Sequence, residues 1–260
     1  MSAAPSHPAA LEQARLQFVL RLGDTSLVLA QRLGAWVGHG PALEEDLGLA
    51  NLALDLLGQA RLLLSYAGEL EGTGRDEDAL AFLRDAPEFR NLTLAEQPNG
   101  DFGHTIVRQW LIDAWQLEVY GGLERSSDAR LAAIAGKALK ETRYHYRFSS
   151  GWLVRLGDGT DESHARAQAA LEALWRFTDE LFSPDEAEAL LATAGIAPDL
   201  GELRSAWVAR IEADLLAATL RRPQAAHYPW YGKRGVHTEH LGHLLAEMQH
   251  LPRTFPGVQW

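Results

Sequence analysis

The sequence predicts an all-α chain built on four long helices, with one long crossover between the second and the third. Three observations carry this. Apolar residues recur at three and four along most of the chain, the spacing of one face of a helix, and the alternation of β-branched residues that marks strands is absent. Clusters at Gly38-His39-Gly40-Pro41, Gly72-Thr73-Gly74 and Gly157-Asp158-Gly159 punctuate the periodic stretches. Links between the first and second and between the third and fourth stretches are short, whereas roughly thirty residues separate the second from the third, which is the connectivity of ferritin-like bundles.

Residues 1–15, opening "MSAAPSHPAA", read as a flexible tail with neither the charged nor the apolar segment of a secretory leader. Residues 16–260 then form one domain, with a core bundle over about 16–156 and added helices over about 160–251. The first helix is expected over 16–37. The second, over 42–70, is apolar almost all round, so it should be buried against more than one neighbour. Short helical pieces and a "QPNG" turn fill 75–100. The third helix covers 102–123 and the fourth 128–156. Thr160-Asp161 opens a helix reaching 182. Ser183-Pro184-Asp185-Glu186 reads as a capping box with proline at the first helical position, and Gly195 closes that short helix. Asp199 opens another, to 220. After the irregular "RRPQAAHYPWYGKRG", a last helix spans 236–251 and ends at Pro252.

Composition removes several classes of function. At 260 residues the chain can bury roughly 75% of its unfolded surface and needs no covalent staples. It has no cysteine, which excludes disulfides, Cys-ligated zinc and iron–sulfur clusters and agrees with a reducing cytoplasm. A formal charge of -11 argues against nucleic acid or an anionic membrane as partner. No apolar run is expected to be long enough to span a bilayer.

The chemistry-bearing positions sit on the second, third and fourth helices. In carboxylate-bridged di-iron bundles a Glu-x-x-His pair brings a carboxylate and an imidazole to one helix face. Here the corresponding stretches carry Leu56-x-x-Gln59 and Thr142-x-x-His145. One imidazole and no motif carboxylate is too little to hold two irons. The expectation is therefore a dismantled site, with no catalytic residue and no metal or cofactor bound by this chain. Asn51, Asp55 and Gln59 repeat every four residues and form a polar seam, either a core network or a face towards a partner. Asp113 shares a face with Ile106, Trp110, Leu117 and Tyr120, where a carboxylate is costly unless paired or ligating. Asp113 and His145 are thus placed to meet in the core, hydrogen-bonded to each other or to a basic neighbour such as Arg108 or Arg143. The alternative is a self-sufficient metalloenzyme using Asp113 and His145, or the C-terminal cluster His237, Glu239, His240 and His243. Glu247-x-x-His250, the one literal Glu-x-x-His, is expected at the surface. Arg221, Arg222, Lys233 and Arg234, with Tyr228, Trp230 and Tyr231, suit either an anionic group such as a coenzyme A phosphate or a solvated loop over a contact between subunits.

Long runs, rather than short motifs, carry a resemblance. "LRLGDTSLVLAQRLGAWVGHGPALEEDLGLANLALDLLGQARLLLSYAGEL", "EQPNGDFGHTIVRQWLIDAW", "KALKETRYHYRFSSGWLVRLGDGT", "LWRFTDELF" and "GVHTEHLGHLLAEMQHL" closely resemble the structural C subunits of the PaaA/PaaC family, which build the bacterial phenylacetyl-CoA epoxidase. The resemblance covers nearly everything after the tail. It implies a ferritin-like fold and a tight pair with a catalytic A subunit whose di-iron centre activates oxygen. It also implies other complex subunits and a flavin and iron–sulfur reductase that supplies electrons. Carried over, the ligand slots fall on Leu56 (or Asp55), Gln59, Asp113, Thr142 and His145, with Asp24 and Gln31 both open for the first helix. The departures at both motif carboxylates match the non-catalytic subunit.

Overall fold

A computed structural model describes residues 7–224 and 229–258; residues 1–6 of the expected tail and Tyr228 of the aromatic loop lie outside the described residues. The described chain is helical, with an isolated bridge between Tyr231 and Val236 as its one β-type pairing. Helix α1 (His7–Gly34) lies along α2 (Leu43–Glu71), and α4 (Phe102–Leu123) along α5 (Ala129–Gly157), with the short α3 (Glu77–Phe82) in the crossover. Asp101 caps α4 by accepting from His104 N at 2.8 Å, and Asp128 caps α5 through Arg130 N and Leu131 N. The two hairpins meet through α2 and α5 and enclose Leu22, Leu29, Leu33, Leu52, Leu56, Leu63, Trp110 and Leu153. Burying each leucine contributes about 2 kcal/mol, so the bundle is held mainly by this interior.

The crossover is packed rather than loose. Phe89, Leu92, Leu94 and Ala95 are all buried. Arg32 donates to the Glu96 carbonyl at 2.6 Å, while Arg108 donates to the Gln97 carbonyl at 2.6 Å and to Asn99 Oδ1 at 2.8 Å. The "QPNG" turn is thereby fixed to α1 and α4. Gly68 marks where the chain returns over α2: a Cβ there would lie 2.2 Å from the Arg75 carbonyl oxygen.

Beyond the bundle come α6 (Asp161–Trp175), α7 (Glu186–Thr193), α8 (Leu200–Ala217), α9 (Glu239–Met248) and α10 (His250–Thr254). Helices α6 and α8 cover α4 and α5, and α7 and α9 lie against α1. Trp175 and Phe182 converge on Trp207, with ring centroids 5.8 and 5.1 Å away. That convergence ends α6 early: residues 178–182, expected as its continuation, form a 3₁₀ turn instead.

Four further expectations are corrected. The tail expected over 1–15 is helical from His7 onward, because Ala14 already packs into the core; the same helix stops at Gly34 rather than 37. The capping box sits two residues later than read: Asp185 accepts from Glu188 N at 3.0 Å and Glu188 Oε2 accepts from Asp185 N at 3.1 Å, so Pro184 precedes the cap. The last helix starts at Glu239, since Thr238 N is tied to Glu96 Oε1 at 2.6 Å, and it breaks at Gln249. Pro252 then falls in the first turn of α10, where its missing N–H costs nothing. Finally, α2 is long and apolar enough, by length and composition, to cross a membrane, against the expectation that no run reaches that length. Half of its apolar window is buried in the bundle; the rest forms an exposed leucine face.

Candidate functional site

Helices α2 and α5 run antiparallel along the bundle axis. Gly48 lies under Phe148, Asp55 reaches His145 and Gln59 reaches Glu141. This register puts Leu56, Gln59, Thr142 and His145 in the interior beside Asp113 of α4, all at or below 1% exposure.

Leu56 fills its position with hydrocarbon packed into the apolar core. Gln59 Nε2 donates to Glu141 Oε2 at 3.0 Å, and Gln59 Oε1 accepts from the Tyr120 hydroxyl at 3.4 Å. Burial pushes that phenol up to about 12, so Tyr120 stays a neutral donor. Thr142 turns its hydroxyl back to the Ala138 carbonyl of its own helix at 2.9 Å. His145 Nε2 lies 3.1 Å from Asp55 Oδ2, while Nδ1 has no partner among the described residues.

Asp113 is engaged differently from the sequence expectation. Its Oδ1 accepts from Gln109 Nε2 and its Oδ2 from Ser149 Oγ, each at 2.7 Å. Burial pushes its carboxyl up to about 6, against the opposing influence of His145, Ser149 and Gln109. Neither a direct Asp113–His145 bond nor a basic neighbour is used: His145 bonds to Asp55, and Asp113 to Gln109 and Ser149. The rotation of α2 brings Asp55 to His145. The polar seam is also only partly a core feature: Gln59 is buried, Asp55 is half-buried and Asn51 is exposed.

Sequence reasoning missed Gln109, Ser149 and Glu141. A signal was available for the first two, since Gln109 precedes Asp113 and Ser149 follows His145 by one helical turn. Asp24, open as a first-helix slot, instead forms a buried bidentate pair with Arg84 and accepts from Arg90 N at 2.8 Å; Gln31 is half-buried.

These donors do not fit a di-iron centre. Among the described residues no group of three or more His, Asp or Glu side chains is placed to hold a metal ion. The one deeply buried acid here, Asp113, is occupied by an amide and a hydroxyl. Burial pushes its carboxyl up to about 6, so these surroundings stabilise the anion a metal needs less well than water does.

The C-terminal candidates also separate in space. His237 turns inward, with Nδ1 2.7 Å from Glu96 Oε2 and Nε2 3.0 Å from the Phe89 carbonyl. Burial opposes its charge, but Glu96 and that carbonyl outweigh burial and raise its pKa. His243, Glu239, Glu247 and His250 are exposed. In the basic loop, Lys233 is buried and donates to Glu188 Oε2 at 2.7 Å and the Ser183 carbonyl at 2.8 Å, while Arg222 pairs with Glu212. Lys233 is thus a structural cation. Lys233→Met should lower the unfolding free energy by about 2 kcal/mol in urea titrations, because Glu188 would lose one of its two cationic partners and keep Arg21 and Asp185 N.

Helical connectivity, crossover and interior together define a ferritin-like bundle protein. A family model described as phenylacetic acid catabolic protein (PaaA/PaaC) matches residues 1–260, and the chain belongs to that family. It is 58% identical over 243 residues, covering 94% of this chain and 98% of the relative, to the C subunit of 1,2-phenylacetyl-CoA epoxidase from Escherichia coli (strain K12).

Proposed function

We propose that this chain is the non-catalytic structural subunit of a bacterial multicomponent phenylacetyl-CoA epoxidase, stabilising a di-iron catalytic subunit. The observation that supports this most directly is chemical. Where a di-iron bundle needs carboxylates and imidazoles, this interior holds Leu56, Gln59 and Thr142, each satisfied by hydrocarbon packing or by protein hydrogen bonds. The Escherichia coli relative, itself one subunit of an epoxidase, supplies the context of a complex. In this reading the iron belongs to the partner, and a separate flavin and iron–sulfur reductase delivers electrons. This chain's part is mechanical. Its rigid bundle packs on the catalytic subunit, holds that subunit's metal-bearing helices in register and limits access of water.

The test is elemental analysis of the chain purified alone without chelators, paired with co-expression with the catalytic subunit. Metal far below one ion per chain, together with co-purification of the two proteins, is the expected result. One or two tightly held ions per chain, lost on His145→Ala, would replace this reading with that of a self-sufficient metalloenzyme.

A further inference from the structure

Helix α2 carries two apolar seams. The inner one, through Leu49, Leu52, Leu56 and Leu63, is fully buried. The outer one runs through Leu43, Leu47, Ala50, Leu54 and Leu57, with steps of four, three, four and three, the repeat of a helix meant to pack on another helix. Its leucines are strongly exposed: Leu43 69%, Leu47 55%, Leu54 65% and Leu57 44%, with Leu62 at 36% beside them. A run of this size is unusual on a free surface.

Gly58 lies in the same face, one helical turn after Leu54 and one before Leu62, and a Cβ there would meet nothing within 4 Å. A glycine deep inside a 29-residue helix weakens the helix, and nothing among the described residues packs against this one. Neighbouring α5 presents its own outward row at the same alternating steps: Lys137, Lys140, Tyr144, Arg147 and Gly151. Gly151 is likewise open, and Lys137 pairs with Glu141 at 3.6 Å. Lys140 and Arg147 are exposed and carry no ion pair among the described residues, in a chain whose net charge is -11.

We propose that α2 and α5 together form the docking face for a helix of the catalytic subunit, an inference that rests on the assembly proposed above. The docking helix is amphipathic, with an apolar stripe seated on the Leu43–Leu57 row and acidic residues on the side facing Lys140 and Arg147. Gly58 admits its backbone closely. Charge selects this occupant: a second copy would bring its own lysines and arginines to the same row, and a flat anionic bilayer would meet the exposed Glu44 at the start of α2.

The test is a pull-down of the tagged catalytic subunit with the full chain, wild type and Gly58→Leu. A second variant combines Lys140→Glu with Arg147→Glu, and Leu216→Gln, on the exposed surface of α8, serves as control. Wild type and control should associate, and each face variant should bind about tenfold more weakly or worse. The isolated Gly58→Leu chain should melt no lower than wild type, since a glycine has been removed from a helix, so lost association cannot be blamed on unfolding. Undiminished binding by both face variants beside a wild type that associates overturns this face while leaving the assembly standing. Wild type that never associates overturns both. A homodimer of the chain alone that Gly58→Leu disperses, or binding to phosphatidylglycerol vesicles that it abolishes, would assign the face to a second copy or a membrane and overturn the proposed occupant.

Discussion

Arg84→Ala is expected to lower the unfolding free energy by about 4 kcal/mol, the cost of stranding a charge in the interior. Arg84 and Asp24 are at or below 1% exposure and form a bidentate pair between the crossover and the middle of α1. The guanidinium also lies 4.3 Å from the Phe89 ring centroid and donates to the Glu88 carbonyl at 3.2 Å. Its main chain carbonyl accepts from Gln249, so the same residue ties the C-terminal helices to the crossover. Removing the side chain leaves Asp24 with one backbone donor, Arg90 N. Urea titration should show a lower midpoint with an unchanged slope. Restoring an apolar pair, Asp24→Leu with Arg84→Met, should recover much of the loss, because the penalty belongs to the orphaned carboxylate and not to the absence of the pair. An Arg84→Ala chain as stable as wild type would show that water reaches Asp24.

Asp113→Asn is expected to stabilise the chain by about 3 kcal/mol at pH 7.5. The sign follows from the direction of the shift. Burial raises the folded-state pKa from 3.8 to about 6, so the fold binds a proton that the unfolded chain has already released. Below about pH 4 both states are protonated and the residue is neutral in its effect. Between there and pH 6 the unfolded state gains by ionising while the folded state cannot, and above pH 6 the full penalty persists. Asparagine keeps the shape and can still accept from Gln109, while Ser149 can reverse its hydroxyl and accept from the new amide. The stabilisation should therefore be present at pH 7.5 and vanish at pH 4. Lower stability of Asp113→Asn at pH 7.5 would mean that Asp113 is a working anion, and the metal reading of the interior would return.

Much of the bundle was legible in the chain because the signals are local. Residues 102–123 are helical as read, bounded by an Asp101 cap and the turn before Asp128. Burial of Asp113 followed from its place on an apolar helix face. Where several legal registers coexist, local reading slipped: two overlapping Asp/Ser–Glu boxes at 183–188 and a proline at 252 that suits a helix start as well as a stop.

Pairings between distant residues were the illegible part. Either Asp55 or Asp113 could have met His145, and helix periodicity allows both; a rotation of α2 about its axis, set by leucine packing, brings Asp55 there. Asp24 with Arg84 and His237 with Glu96 are joined across 60 and 141 positions of sequence, which no spacing rule connects. The second face of α2 shows the same division. That the helix is apolar all round is plain from its residues, whereas the split between a buried seam and an exposed one appears only when α1 and α5 cover a single side. Helix class, number and caps are encoded within one or two turns of chain, by periodicity and by hydrogen bonds three or four residues apart. Which polar groups meet, and which apolar face is left open, is set by how whole helices rotate and pack, a sum over many residues far apart in the sequence.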